Sequence, residues 1–313
     1  MIKPRWIIRE QLGSQQERCS VRHLLQQQWS LPSRLVHYLR IRRQVLINGN
    51  YRNMNEPVAP GEQVTLKFAG DEFRTPTSNY RPTPSPMLDV LFENRDLLVV
   101  NKPAGQKTHP NQPFETGTLM NDVAGYLQGS SAATYMVHRI DQATSGAVIV
   151  AKNPVAVPIL DHYIAAGKIH RRYVAVVEGT LAKKCGRFSW PIGFDPTDQR
   201  KRRVNGLKAK PAVTNYQVLQ TSDNLSLVQL QLQTGRTHQI RVHLAHSGHP
   251  IVGDPLYDGQ PNSRMLLHGI AQQLVVPFKK TLHEIYAPLP NYFPPALVKY
   301  DQKEYKGDIN CHF

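Results

Sequence analysis

The chain has 313 residues, 40% of them hydrophobic, which is enough for one large domain or for a large and a small domain with real cores. Its 38 Lys and Arg residues exceed its 23 Asp and Glu residues by 15, so we expect a polyanionic partner, nucleic acid before an anionic membrane. No apolar run approaches the roughly 18 residues of a membrane span, and the N-terminus lacks the apolar core of a signal peptide, so we expect a cytosolic protein that does not enter membranes.

Cysteine usage agrees with that compartment. Cys19, Cys185 and Cys311 are far apart in the sequence. An odd and scattered set predicts thiols outside disulfides, in a reducing environment, and argues against a cysteine-based zinc site.

The first elements predict a small basic module over residues 17–70, after an N-terminal extension at residues 1–16. Two helical patterns, "SVRHLLQQQW" and "SLPSRLVHYLRIRR", precede two short strands, "QVLINGN" and "GEQVTLKF". Ser30 and Ser33 are candidate caps of the second helix. Four arginines lie on or beside that helix and are candidate RNA contacts, although a solvated helix face would look the same: Arg34, Arg40, Arg42 and Arg43.

A proline-rich linker at residues 71–87 leads to a predicted catalytic domain at 88–295 and a polar tail at 296–313. In that domain strands outnumber helices and do not alternate regularly with them. The pattern predicts an α+β fold with a mixed, mostly antiparallel sheet. The predicted strands are "DLLVVNKP", "GAVIVAK", "RYVAVVEG", "AVTNYQVLQ" and "LSLVQLQLQTG", and the predicted helices are "LMNDVAGYLQ", "VAVPILDHYIAAG" and "THQIRVHLAHSG".

The stretch "HRIDQATSG" at residues 138–146 places one carboxylate, Asp141, in a turn just before an apolar strand. Such an acid can simply cap its own turn. It can also face a pocket, with the buried strand behind it fixing its position.

A second polar stretch, "TGRTHQIRVHLAHSGHPIVGDPLY", begins a helix after a Gly turn and carries Arg236 and Arg241. Arginines at a helix start are suited to an anion. Four histidines there, His238, His243, His246 and His249, do not have the spacing of a metal site, so no metal is expected.

Two further clusters of cations are either solubilising or in contact with phosphate. One comprises Lys168, His170, Arg171 and Arg172, just before Tyr173. The other comprises Arg200, Lys201, Arg202, Arg203, Lys208 and Lys210.

Taken together, these stretches resemble the RluA-type RNA pseudouridine synthases. "HRIDQATSG" is similar to the catalytic signature of that family. With four other stretches it occurs in family order along the chain: "LFENRDLLVVNKPAGQKTHP" before it, and "RRYVAVVEG", "KPAVTNYQVL" with "TGRTHQIRVHLAHSGHPIVGDPLY", and "MLLHGIAQQLVVP" after it. The small module resembles, more loosely, the alpha-L RNA-binding motif that several of these enzymes carry in front.

The resemblance implies isomerisation of uridine to pseudouridine in RNA, with no cofactor. Asp141 matches the essential aspartate, Tyr173 the tyrosine that stacks on uracil, and Arg241 the arginine that pairs with the aspartate. Arg139 matches an arginine proposed to fill the gap that a flipped uridine leaves. The candidate RNA-binding residues of the predicted catalytic domain are Lys102, His138, Arg139, Arg171, Arg172, Arg202, Arg203, Lys210, Arg236 and His238.

Other functions remain open from the residues. A non-catalytic RNA-binding protein of the same fold would not need Asp141, Tyr173 and Arg241 together. A metal-dependent nuclease would need clustered carboxylates, which the sequence lacks. The front module favours a large structured RNA, ribosomal before transfer RNA. No obligate protein partner is indicated, and we expect a monomer.

Overall fold

The computed structural model describes residues 5–279, 281–298 and 309. Its helices are α1 (Val21–His23), which continues into a π-helical turn (Leu24–Gln28), α2 (Ser33–Ile41), α3 (Leu119–Tyr126), α4 (Ala156–Ala165) and α5 (Gln239–His246). The first six strands are β1 (Trp6–Gln11), β2 (Cys19–Ser20), β3 (Val45–Ile47), β4 (Asn50–Tyr51), β5 (Pro57–Val58) and β6 (Gln63–Phe68).

The remaining strands follow the linker. They are β7 (Val90–Glu93), β8 (Leu97–Lys102), β9 (Tyr135–Met136), β10 (Ser145–Ala151), β11 (His170–Glu178), β12 (Cys185–Phe188), β13 (Ile192–Phe194), β14 (Arg202–Val204), β15 (Leu207–Lys210), β16 (Thr214–Ser222), β17 (Leu225–Leu232), β18 (Leu267–Val275) and β19 (Leu282–Tyr286). All five strands and all three helices predicted for this part of the chain are present.

The central sheet has ten strands and is mixed but mostly antiparallel, as predicted. Its order is β12-β16-β17-β11-β18-β10-β8-β7, with β19 paired to β18 and β9 paired to β10. Only one of these pairings, β10 with β18, is parallel. The strand β18 therefore lies between β10, which follows Asp141, and β11, which carries Tyr173.

The small module is built as a four-stranded sheet, β1-β6-β3-β4, with α2 beside it. The strand β1 pairs along its whole length with β6, from Trp6 opposite Phe68 to Gln11 opposite Gln63. Residues predicted to form an extension thus supply an edge strand of the module. Leu35, Val36 and Leu39 form the buried face of α2, as their spacing indicates.

The module packs directly against the central sheet. A single apolar cluster contains Trp29 and Phe68 of the module together with Val99 and Ile149 of the sheet and Phe278 of the turn between β18 and β19. The rings of Trp29 and Phe278 meet edge to face at 5.4 Å.

Polar contacts border this shared core. The carboxylate of Glu10 pairs with Arg95, 2.7 Å from its Nη2, and with Lys279. The module is therefore seated on the sheet and does not depend on the linker alone for its position.

Three details differ from the sequence analysis. The second helix is preceded by Pro32 without a side-chain cap, so the prediction that Ser30 or Ser33 caps it is wrong. Arg236 precedes α5 and is not on it, because His238 takes a left-handed conformation, φ 58°, that delays the helix start. Strands at the sheet edges, such as β7 and β19, were not predicted.

The cysteine prediction is partly wrong. Cys185 is disulfide-bonded. Cys19 is not, and its sulfur accepts hydrogen bonds from the amides of Gln16 and Gln28. Cys311 lies outside the described residues.

Candidate active site

Asp141 lies in the loop 137–144, which links β9 to β10, and faces a pocket. Its side chain is 20% exposed. Nη1 of Arg241 donates to its Oδ2 at 3.1 Å, and Nε2 of His238 lies 3.9 Å from the same oxygen. The predicted pairing of Asp141 with Arg241 is present, so this carboxylate is not merely a turn cap.

Arg241 is anchored from behind by a second acid, Asp254. Its Nε and Nη2 donate to the two oxygens of Asp254, each at 2.8 Å, and the Asp254 side chain is fully buried. The forked grip of the guanidinium therefore goes to Asp254, and Asp141 receives one hydrogen bond. Burial lowers the pKa of Arg241, but the bonds and charges of Asp254 and Asp141 outweigh burial, so its pKa is raised.

Tyr173 projects from β11 into the same pocket and is only 4% exposed. Burial raises the pKa of its phenol, and the positive charge of Arg171 partly opposes that rise. The ring offers an apolar face with one polar end, which is suited to stacking on a planar base.

The pocket has a volume of about 330 Å³, near the lower end of the roughly 300–1,000 Å³ typical of small-molecule sites. Its lining brings together the three predicted catalytic residues and several of the predicted RNA contacts: Asp141, Tyr173, Arg241, His138, Arg139, Arg171, Arg236 and His238. Leu232, Ile240 and Leu267 supply apolar wall. The space is suited to a single nucleotide with charged groups around it.

Buried side chains hold the loop that carries Asp141. The hydroxyl of Thr108 donates to the carbonyl of Ile140 at 2.7 Å. Nε2 of His138 accepts from the N–H of Ile149 at 3.0 Å. Burial lowers the pKa of His138 to about 3, so this ring is neutral, as an acceptor must be.

Lys102 acts on the same loop from inside the protein. Its ammonium is fully buried and donates to the carbonyls of Pro103, Gln106 and Gln142 at 2.8, 2.7 and 3.3 Å. The prediction that Lys102 contacts RNA is wrong, because its side chain is enclosed and engaged with the protein. His138 is buried but lines the pocket, so its contact with RNA stays a prediction.

The other predicted RNA contacts divide by exposure. Arg34, Arg40, Arg43, Arg139, Arg203, Lys210 and Arg236 are exposed. Arg42 is bound at 2.7 Å by both oxygens of Asp71 in the linker. Arg172 is 1% exposed and pairs with Glu284, away from the pocket, so its prediction as an RNA contact is wrong.

Arg202 and His238 are both tied to Tyr257. The phenol of Tyr257 accepts from the N–H of Arg202 at 2.9 Å. Its oxygen also lies 2.8 Å from Nδ1 of His238. The guanidinium of Arg202 lies over the ring of Phe194 at 4.2 Å.

No group of three or more His, Cys, Asp or Glu side chains in the described part of the chain could hold a metal ion. The histidines after the Gly turn have other partners: His243 lies between the hydroxyl of Thr214 and the carbonyl of Trp190, and His249 contacts the carbonyl of Glu178. None of the described helices is long and apolar enough to cross a membrane.

Comparison with known proteins shows which families match the sequence around this pocket. Residues 96–246 match the RNA pseudouridylate synthase family, and residues 11–64 match the N-terminal domain of the RluD ribosomal pseudouridine synthases. A Bacillus subtilis protein described as the uncharacterized RNA pseudouridine synthase YhcT is 40% identical over 254 residues, which cover 79% of this chain and 82% of that protein.

The chain belongs to the RNA pseudouridine synthases. It is an isomerase that acts on RNA, as its resemblance implied. Ribosomal large subunit pseudouridine synthase D of Escherichia coli is 32% identical over 289 residues and 86% of each chain. The solved structure of human RNA pseudouridylate synthase domain containing 1 aligns with a TM-score of 0.57 at 28% identity, over 69% of this chain and 89% of that one.

Two residues that hold pocket side chains of this pseudouridine synthase in place, Asp254 behind Arg241 and Tyr257 beside His238, were missed by the sequence analysis. Asp254 and Tyr257 belong to the stretch "GDPLY", but neither was given a role. Asp254 could have been noticed in the sequence as an acid between Gly253 and Pro255, in a stretch that is otherwise cationic. If buried, such an acid needs a cation as its partner.

Proposed function

We propose that this enzyme isomerises specific uridines of ribosomal RNA to pseudouridine, with Asp141 as its catalytic carboxylate. The observation that carries the proposal is the ion pair of Asp141 with Arg241, opposite Tyr173, in a pocket of nucleotide size. The reaction needs no group donor and no change of oxidation state, so the side chains that line the pocket suffice.

Asp141 assists the breaking of the bond between C1′ of the sugar and N1 of uracil. Its ionised oxygen either adds to carbon or takes a sugar proton, and both routes need the carboxylate charged inside a closed pocket. Arg241 supports the charged form at 3.1 Å, and Asp254 keeps the guanidinium in place.

Tyr173 holds the base while the base reorients. Stacking on a phenol face leaves the base free to rotate in its own plane, which presents C5 to the sugar in place of N1. When the new carbon–carbon bond has formed, the phenol is within the pocket to assist removal of the C5 proton.

Exposed arginines at the rim serve the RNA strand. A uridine in a helix must leave its stack to reach Asp141. Arg139 stands at the pocket mouth next to His109, with 3.5 Å between Nη1 and Nε2, and its guanidinium is available to fill the gap in the helix.

Ribosomal RNA is the favoured substrate, and the enzyme acts as a monomer in the cytoplasm. Support comes from the front module, which matches the N-terminal domain of RluD, and from the relative in E. coli whose name specifies the large ribosomal subunit. Transfer RNA is the alternative substrate. A non-catalytic RNA-binding role is disfavoured by the intact set of Asp141, Tyr173 and Arg241.

The deciding experiment maps pseudouridine across total RNA from cells with and without the gene. We expect one or a few ribosomal sites to be lost and then restored by the wild-type gene, but not by Asp141→Asn. Loss confined to transfer RNA would replace the substrate, and an unchanged map would refute the activity.

A further inference from the structure

Arg171 is a buried cation inside the pocket. It lies two residues before Tyr173 on β11, so both side chains project from the same face of the sheet. Arg171 is 6% exposed and lines the pocket with Tyr173, Asp141 and Leu232.

Within the described part of the chain, the guanidinium of Arg171 has neither a salt bridge nor a side-chain hydrogen bond, and its buried Nε has no partner. The other deeply buried arginines differ: Arg241 has Asp254 and Asp141, and Arg172 has Glu284. Since an unpaired buried charge destabilises a fold, Arg171 lacks the usual reason for its position.

Gly235, across the pocket on the segment after β17, makes room for this group. A Cβ at Gly235 would lie 2.9 Å from Nη1 and 3.4 Å from Nη2 of Arg171. The guanidinium therefore lies close to the bare backbone at Gly235, in space that a larger residue would fill.

We propose that Arg171 stabilises the departing uracil: its guanidinium binds a carbonyl oxygen of the base and carries the negative charge formed when the glycosidic bond breaks. This inference rests on the proposed function and adds a catalytic residue to it. Because the group is preorganised and dehydrated, its effect on a developing charge is larger than that of an arginine in water.

Each step of this reaction conserves its electrons. The bond from C1′ to N1 breaks with its electron pair on uracil, whose charge spreads over N1, O2 and O4. Asp141 meets the electron-poor sugar by adding to C1′ or by taking a sugar proton. C5 of the uracil anion then bonds to C1′, returning the pair, while the bond from Asp141 to C1′ breaks or Asp141 gives the proton back to the sugar. C5 finally loses its proton and N1 gains one, so that the base is neutral again.

A phosphate of the RNA strand is the other oxygen that a guanidinium could bind. The depth of Arg171 argues against it, because phosphates stay at the outside of a bound strand, where the exposed Arg139 and Arg236 already line the rim. The two occupants predict different kinetics: without a phosphate partner, RNA binding and its salt dependence weaken, whereas without a uracil partner, bond cleavage slows.

The test uses full-length enzyme and the RNA identified by mapping, in single-turnover reactions. Arg171→Met should slow consumption of the target nucleoside by roughly 100- to 1,000-fold, with RNA affinity and its salt slope unchanged. Arg171→Lys keeps the charge and loses the planar fork, so its reaction rate should lie between those of the wild type and Arg171→Met.

Replacing the target by 5-fluorouridine, whose base is the better leaving group, should shrink the deficit of Arg171→Met. Arg236→Met is the matched control at the rim. It should weaken the binding of RNA, and to the same extent whether the target is uridine or 5-fluorouridine. Arg171→Met should also resist unfolding at least as well as wild type, which a merely structural arginine would not allow.

An inactive wild type on the mapped RNA would refute the proposed function. An active wild type with Arg171→Met within about tenfold of it would refute this inference alone. A deficit that appears only as weaker, less salt-dependent RNA binding would assign Arg171 to a phosphate instead.

Discussion

Three charged side chains in a row, Asp254, Arg241 and Asp141, set the position of the reacting carboxylate. The inner acid is fully buried and holds two nitrogens of the arginine, which leaves one nitrogen for Asp141. A single contact fixes direction without enclosing the carboxylate, so Asp141 remains open to the sugar.

Changing each support of Asp141 should move the pH dependence in opposite directions. Arg241→Met removes the positive charge, so the acid limb of the rate should move to higher pH and activity should be nearly abolished. Asp254→Asn removes a competing negative charge, so the limb should move to lower pH, while misplacement of Arg241 costs on the order of 100-fold in rate. If the acid limbs of the wild type and both variants coincide, Arg241 and Asp254 do not support Asp141 in this way. Arg241→Lys is the control that keeps the positive charge without the planar fork.

Lys102 gives a pH-dependent contribution to stability. Burial lowers its pKa from 10.5 to about 7. Between these values the unfolded chain binds more protons at this lysine than the folded chain, so its contribution to the free energy of unfolding rises with pH. The difference in that free energy between wild type and Lys102→Met should therefore grow from pH 7 toward pH 10 in denaturant titrations. A constant difference would contradict the shift.

At the scale of elements, the sequence predicted the main strands and the fold class, because apolar runs such as β10 and β11 have a clear pattern. The resemblance to a known family also nominated Asp141, Tyr173 and Arg241, and the structure brings these three side chains into one pocket; their catalytic roles stay predictions. The sequence did not identify Asp254 as the partner of Arg241, nor Lys102 as buried, because both depend on contacts that local pattern does not encode.

The close approach of β10 and β18 explains the Gly at the end of "HRIDQATSG". Gly146 has φ +115°, and a Cβ there would lie 2.3 Å from the carbonyl oxygen of Gly269. Gly146→Ala should destabilise the fold by at least about 1–3 kcal/mol and displace the Asp141 loop, lowering activity more than stability alone explains. Thermal unfolding and single-turnover rates measured together would test this. Gly248→Ala, also at positive φ but with open space around it, is the control.

The exposed arginines of the module should act through phosphate. Replacing Arg34, Arg40 and Arg43 with Gln should reduce the slope of log affinity against log salt by about 0.7 to 0.9 for each phosphate that is no longer neutralised. The rate at which bound RNA is isomerised should not change. Arg52→Gln is the control in the same module, because Arg52 already pairs with Glu62 at 2.7 Å. A slope unchanged in the triple variant would place the RNA elsewhere.

At the scale of the whole molecule, the shared core predicts that the module and sheet unfold together. Trp29 contributes to that core and is 5% exposed. Calorimetry of the wild type should show one transition, and Trp29→Ala should lower stability by about 3–5 kcal/mol without splitting it. Two transitions, one unaffected by the substitution, would mean that the module folds independently.

The packing of the module on the sheet also fixes the distance between the module and the pocket. Contacts of Glu10 and Trp29 hold the module against the rest of the protein. The distance from the exposed arginines of the module to Asp141 is therefore set by the fold and not by a flexible linker. Under the proposed function, in which the module binds one part of the RNA, a substrate is then selected by the spacing between two of its parts. We therefore expect nucleotides inserted between the RNA segment that the module binds and the target uridine to move that uridine out of reach of the pocket.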